Sequence, residues 1–64
     1  MDGTLKKNVL IGADVAVVLK DDQITGTLTR GTVKALLTRS PSHPHGIKVR
    51  LTNGKIGRVK KIFS

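Results

Sequence analysis

Basic side chains are the groups best placed to do chemistry in this chain, and six of them flank the pair Asn53-Gly54. That pair is typical of a two-residue type I′ hairpin turn, so the bases before and after it are expected on neighbouring strands. Cross-strand neighbours lie about 5 Å apart, so like charges on one face repel one another. Such a cluster is typical of phosphate contacts, which release counterions, although a merely solvated basic face is the alternative. The six bases are Lys48, Arg50, Lys55, Arg58, Lys60 and Lys61.

The whole net charge of +8 comes from the second half of the chain. Residues 33–64 hold eight bases and no acid, whereas residues 1–32 balance four bases against four acids. This asymmetry favours a polyanionic partner, with solubility as the plain alternative. We therefore predict nucleic-acid contacts in three groups. Lys48, Arg50, Arg58 and Lys60 are the central contacts, Lys34, Lys55 and Lys61 flank them, and Arg39, His43 and His45 form a loop at the rim.

Aromatic content restricts how a nucleic acid could be held. Phe63 is the one aromatic residue besides the histidines, and there is no Trp or Tyr. Modules that bind single strands generally stack bases on aromatic rings. The sequence therefore predicts contacts mainly to the phosphate backbone, with an affinity that falls steeply as the salt concentration rises.

Catalytic and metal-binding chemistry has little support in the sequence. Ser40 and Ser42 lie near His43 and His45, yet no strand–turn–helix elbow surrounds them. The two histidines lack cysteine or glutamate partners for a metal site, and a thin core offers no enclosed cleft. We predict no enzyme activity, no metal and no cofactor.

Glycine and proline divide the chain into the short elements that must position the bases. The segment after Thr4, a candidate N-cap, predicts one or two helical turns ending before Gly12, or an irregular arm. Four further segments predict strands from their β-branched content and alternation. These strands cover residues 15–20, 28–38, 47–52 and 55–62.

Alternation also predicts which strand residues face the core. Gly31 predicts a bulge or sharp bend in the second strand, and Gly57 predicts a bulge in the fourth. The inward residues are predicted to be Val15, Val17 and Leu19 on the first strand and Ile47, Val49 and Leu51 on the third.

A chain of 64 residues, 38% of them apolar, can build one thin core, so residues 1–64 are predicted to form a single small basic domain. A small sheet must curl to cover its edges and its apolar face. We predict an all-β fold: a small SH3-like (KOW-like), partly open barrel of four to five strands with a short N-terminal helical turn. No apolar run approaches the roughly 18 residues of a membrane span, and no signal-peptide core is present. A soluble, cytoplasmic protein with no membrane contact is expected.

Two families share patterns with this sequence. Gly12-Ala13-Asp14-Val15, followed by Gly31-Thr32-Val33, resembles the opening of KOW segments. Those segments are SH3-like barrels of ribosomal proteins and transcription factors, so the resemblance implies binding of RNA or protein.

A fuller resemblance covers nearly the whole chain. It is clearest at residues 43–51, which read His-Pro-His-Gly-Ile-Lys-Val-Arg-Leu. These residues, with residues 17–23, 31–33 and 57–59, resemble the YwbE-like family, a group of short, mainly prokaryotic proteins. The resemblance implies the size of the protein and brings no catalytic residues.

The function predicted from the residues is a non-catalytic nucleic-acid-binding module, with RNA preferred over DNA, that contacts phosphates through the basic C-terminal hairpin. The alternative is a protein-interaction or assembly module that binds an acidic protein surface or pairs through an edge strand. Val18, Ile24 and Leu36 are apolar residues expected to be exposed in that case.

Overall fold

Four antiparallel strands form a closed barrel in the computed structural model, which describes residues 3–20 and 24–63. The strands are β1 (Asp14–Leu19), β2 (Leu28–Leu36), β3 (Lys48–Leu51) and β4 (Ile56–Ile62). Each strand pairs with the next, and β1 also pairs with β4. The all-β small-barrel prediction is confirmed. The barrel is closed rather than partly open, because β4 returns far enough to pair with β1.

The N-terminal segment is a short arm with a single 3-10 turn at Lys6–Asn8. The residue that begins this turn is Leu5, not Thr4, and no side chain caps it. The arm instead follows the loop before β3: the Lys6 amide donates to the Pro41 carbonyl (2.8 Å), and the Ile47 amide donates to the Gly3 carbonyl (2.9 Å). These backbone partners lie outside the arm, which explains why the helical turn stays short.

The core contains the inward residues that alternation predicts. Val15 and Val17 on β1 and Val49 and Leu51 on β3 are each 0% exposed, and Leu19 packs partly buried against them. Every second residue of a strand faces the same side, so Val18 must face outward. Val18 is nevertheless only 7% exposed, which corrects the expectation that it would be an exposed apolar residue. Ile24 is exposed as expected, and Leu36 is half-buried.

The strand irregularities do not lie at the glycines that were expected to cause them. In β2 the register shifts between Val33 and Ala35, and in β4 it shifts opposite Ala16 and Val17, which leaves Lys60 as the extra residue. The bulges predicted at Gly31 and Gly57 are therefore misplaced. Both glycines serve close packing instead: a Cβ on Gly31 would lie 2.8 Å from Leu51 Cδ1.

The β3–β4 turn has three loop residues rather than the two of the predicted type I′ turn. The Gly54 amide donates to the Leu51 carbonyl (2.9 Å), and the Leu51 amide donates to the Lys55 carbonyl (2.8 Å). A type I′ turn needs a positive φ at both central residues. Here Gly54 has a φ of +87°, but the φ of Asn53 is not positive. This pattern matches a turn followed by a glycine bulge, and the Asn53 side chain supports it by accepting a bond from the Lys55 amide (3.0 Å).

Candidate nucleic-acid interface

A row of side chains on the outside of the barrel brings basic residues of the hairpin against an apolar patch. Lys48 on β3 is the register partner of Arg58 on β4, and Arg58 is also the partner of Val18 on β1. Val18 is in turn the partner of Leu28 on β2. Neighbouring strands lie about 4.8 Å apart, so each of these side chains borders the next.

Two open cavities lie side by side along this row, and both are lined by Val18 and Arg58. The first, of about 550 Å³, adds Leu28, Lys60 and His45 to its lining. The second, of about 450 Å³, adds Lys20 and Lys48. We call the surface formed by Lys20, His45, Lys48, Arg58 and Lys60 around Val18 the Arg58 face.

Two of these cations are fixed in place by the loop before β3. Arg58 Nη1 donates to the Gly46 carbonyl (3.1 Å), and Lys60 Nζ donates to the His45 carbonyl (2.8 Å). A guanidinium carries five N–H donors and an ammonium three, so both groups keep donors for an anion. Lys60 is also the extra residue of the bulge in β4.

Carboxylates that could neutralise this surface are scarce in the described part of the chain. Asp14 is the one acid within residues 3–20 and 24–63, and it pairs with Arg30 (2.5 Å). The Arg30 guanidinium lies 4.2 Å from the centre of the Phe63 ring, and its hydrogen bonds to Asp14 hold the pKa of that carboxyl below its usual value. Arg30 and Phe63 thus form a separate cluster that lines neither cavity.

The structure brings together three of the four predicted central contacts, Lys48, Arg58 and Lys60. Arg50 lies on the same face of β3 as Lys48, opposite Ile56, which lines the second cavity, so Arg50 borders the Arg58 face. Of the remaining predicted residues, His45 belongs to the face. The others line neither cavity: they are Lys34, Arg39, His43, Lys55 and Lys61.

Lys20 is a member of the Arg58 face that the sequence did not identify. It follows β1 directly and shares the second cavity with Lys48 and Arg58. Lys20 lies in residues 1–32, where four bases and four acids cancel, so the net charge of that half of the chain does not indicate it. Alternation alone carries the signal, because residue 20 lies on the same side of the strand as Val18. Asp21 and Asp22, which follow it in sequence, lie outside the described residues.

His43 supports the rim of the face instead of contacting it. Its Nδ1 accepts a hydrogen bond from the His45 amide (3.1 Å), and the two rings are 5.7 Å apart. An acceptor Nδ1 carries no proton, so this bond requires the neutral ring. Partial desolvation, then the charges of Arg58 and His45, lower the pKa of His43 from its usual value of 6.5.

Acidification should therefore loosen this loop. The pKa of His43 is lower in the folded state, so the unfolded chain binds its proton more readily below pH 6.5. The contribution of His43 to stability is complete above that pH and is lost as the pH falls through the lowered value. We expect the difference in urea midpoint between the parent and His43→Gln to shrink from pH 7.5 to pH 5. His45→Gln serves as the control. A urea-midpoint difference between the parent and His43→Gln that stays constant from pH 7.5 to pH 5 would contradict this role of His43.

Two other features that could indicate a function are absent from the described residues: a helix able to cross a membrane and a cluster of metal ligands. No helix there has the length and apolar character to cross a membrane. His43 and His45 find no third potential metal ligand among the described side chains. The absence of a metal, a cofactor and enzyme activity stays a prediction.

Comparison with known proteins identifies relatives along the full chain. The chain is 56% identical over 64 residues to the Bacillus subtilis (strain 168) protein described as "Uncharacterized protein YwbE", covering 100% of this chain and 98% of that protein. No solved structure matches significantly. A family model described as "Uncharacterized conserved protein (DUF2196)" matches residues 2–62. The predicted YwbE-like resemblance is confirmed, and the chain belongs to the DUF2196 family.

Proposed function

We propose that this protein is a non-catalytic nucleic-acid-binding module, with RNA preferred over DNA, and that the Arg58 face contacts backbone phosphates. One observation carries the proposal: Lys20, Lys48, Arg58 and Lys60, from two strands and a strand end, converge around Val18. A basic surface with a structural role would carry acidic side chains among its bases. The one ion pair of the described residues, Asp14–Arg30, instead lies in a separate cluster away from this face. We also propose that the protein is cytoplasmic.

The arrangement suits phosphates better than base edges. Lysine and arginine donors supply charge and hydrogen bonds that any sequence can accept. The single phenylalanine lies in the Arg30 cluster and lines neither cavity, so the imidazole of His45 is the one aromatic ring among the residues that line the two cavities. We therefore expect weak discrimination between sequences and a strong response to salt.

The test is fluorescence anisotropy with a generic RNA and a duplex DNA at 50 and 200 mM salt. If about three to four phosphates are neutralised at roughly 0.7 in slope each, the RNA affinity should fall roughly 20- to 50-fold across that range. The parent should bind the RNA more tightly than the DNA at both concentrations. An absence of RNA binding at 50 mM salt would contradict the proposal.

The alternative is a module that binds an acidic protein surface. It would use the same cations, and the exposed Leu10 (64%) and Ile11 (69%) offer apolar contacts beyond them. The edge-pairing form has less support, because each described strand already pairs with two neighbours. Two measurements separate the two functions. Light scattering across a concentration series detects self-assembly, and competition of RNA binding by polyglutamate detects binding of an acidic polypeptide. Equal competition by polyglutamate and RNA at matched charge would favour the alternative.

A further inference from the structure

The first cavity of the Arg58 face combines two kinds of wall. One wall is apolar, formed by Val18 and by Leu28, which is 39% exposed. The other is polar and basic, formed by Arg58, Lys60 and His45. Gly26 also lines the cavity and has no side chain to narrow it. At about 550 Å³ the cavity is within the range of small-ligand pockets, which is roughly 300–1,000 Å³.

A ligand that fills this cavity must carry an anion and an apolar surface side by side. Arg58 and Lys60 are held by the carbonyls of Gly46 and His45, so their remaining donors are oriented before a ligand arrives. An inorganic phosphate would contact only the basic wall of the cavity. A duplex would also contact only the basic wall, because its bases are stacked and paired inside the helix. An unstacked nucleotide can use both walls, because apolar side chains can pack on the face of a base.

We propose that this cavity binds one unstacked nucleotide of a single-stranded RNA, with its phosphate on Arg58 and Lys60 and its base against Val18 and Leu28. This inference rests on the proposed function and adds that the preferred ligand is single-stranded. It also identifies an apolar contact that charge alone would not reveal. Because the contact is aliphatic, it is weaker than stacking on an aromatic ring and does not distinguish the bases.

The chain offers a matched pair of variants for the test. Leu28 and Leu37 are 39% and 38% exposed, and they lie near opposite ends of β2. Only Leu28 lines the cavity, so Leu28→Ser removes its apolar wall while Leu37→Ser makes the same chemical change elsewhere. Thermal melts establish that both variants fold, and Leu28→Ala replaces Leu28→Ser if the serine variant does not.

Anisotropy is measured for a ten-nucleotide single-stranded RNA and for an RNA duplex with the same number of phosphates. We expect Leu28→Ser to weaken single-strand binding on the order of fivefold, below the effect of losing an aromatic stack, and to leave duplex binding unchanged. Leu37→Ser should match the parent on both ligands. Uridine monophosphate should compete only at concentrations far above those of the oligonucleotide.

The outcomes separate this inference from the proposed function. If single-stranded and duplex RNA bind alike and Leu28→Ser behaves as Leu37→Ser, the nucleotide site is wrong while the phosphate-binding face stands. If the monophosphate displaces the oligonucleotide at comparable concentration, the occupant is a free nucleotide and the strand is not the ligand. If the parent binds neither RNA at 50 mM salt, both the inference and the proposed function fail.

Discussion

The double variant Lys20→Glu/Lys48→Glu should lose RNA affinity on the order of 100-fold at 50 mM salt, because it replaces two cations of the Arg58 face with anions. Both lysines are exposed and line the second cavity beside Arg58. Exposed substitutions of this kind usually change the free energy of unfolding by less than about 0.5 kcal/mol. The slope of log affinity against log salt should also become shallower by about 1.4, since two phosphate contacts are lost.

The matched control is Lys34→Glu/Lys55→Glu. Each Lys→Glu change removes two units of charge, so both double variants lower the formal net charge from +8 to +4. Lys34 and Lys55 are also exposed, but neither lines a cavity of the Arg58 face. We expect this control to weaken binding by less than about fivefold, through the long-range field alone. Equal losses in the two double variants would show that total charge, and not this face, holds the RNA.

Arg58 is a less suitable position for charge reversal, although it lies at the centre of the face. Its guanidinium also donates to the Gly46 carbonyl, so Arg58→Glu would remove a loop contact together with a phosphate contact. A loss of binding in that variant could arise from either cause. Lys20 and Lys48 avoid the ambiguity, because neither side chain anchors the loop.

The local parts of the fold could be predicted from the sequence because they depend on alternation over a few residues. Val49 and Leu51 face the core, and Lys48 and Arg50 face outward, as the β3 pattern indicates. The all-β class follows from the same reasoning, since short alternating segments separated by glycine and proline leave no room for long helices.

The positions of the bulges could not be predicted in the same way. β4 must pair with β3 along one edge and with β1 along the other, and the register that satisfies both leaves Lys60 unpaired. Glycine is a local signal, whereas this constraint arises only when the barrel closes. Gly31 and Gly57 predict such irregularities because the sequence does not distinguish a glycine in a bulge from a glycine at a close contact between strands.

The candidate site was predicted in part for a related reason. Hairpin neighbours such as Lys48 and Arg58 are linked by a short turn, so the sequence places them together. Lys20 and Leu28 reach the same surface through β1 and β2, and only the closed barrel brings these strands beside Arg58. The apolar wall of the first cavity could therefore not be predicted, because the sequence indicates Val18 as an outward apolar residue but does not place Leu28 and Arg58 beside it.

Gly57→Ala should be among the most damaging single-methyl changes in the described part of the chain. Gly57 is the register partner of Leu19 on β1 and of Val49 on β3, so it lies where β4 joins the two sides of the barrel. A Cβ at this position would lie 2.6 Å from the Val18 carbonyl oxygen and 2.8 Å from Val17 Cγ2. The first of these atoms belongs to the backbone and cannot move without separating β1 from β4.

Overpacking of this kind destabilises proteins by roughly 1–3 kcal/mol or more. A domain of this size is stabilised by roughly 3–10 kcal/mol in total, so Gly57→Ala should lower the thermal midpoint by at least about 8 °C. Gly12→Ala is the control: Gly12 has φ +91° but no atom within 4 Å of an added Cβ, so it loses only the backbone term of about 1–2 kcal/mol. Because Val18 is central to the Arg58 face, the displaced strand should also weaken RNA binding in Gly57→Ala and not in Gly12→Ala. A Gly57→Ala variant as stable as the parent would show that the β1–β4 junction yields to the methyl group, and that this contact does not fix the geometry of the binding face.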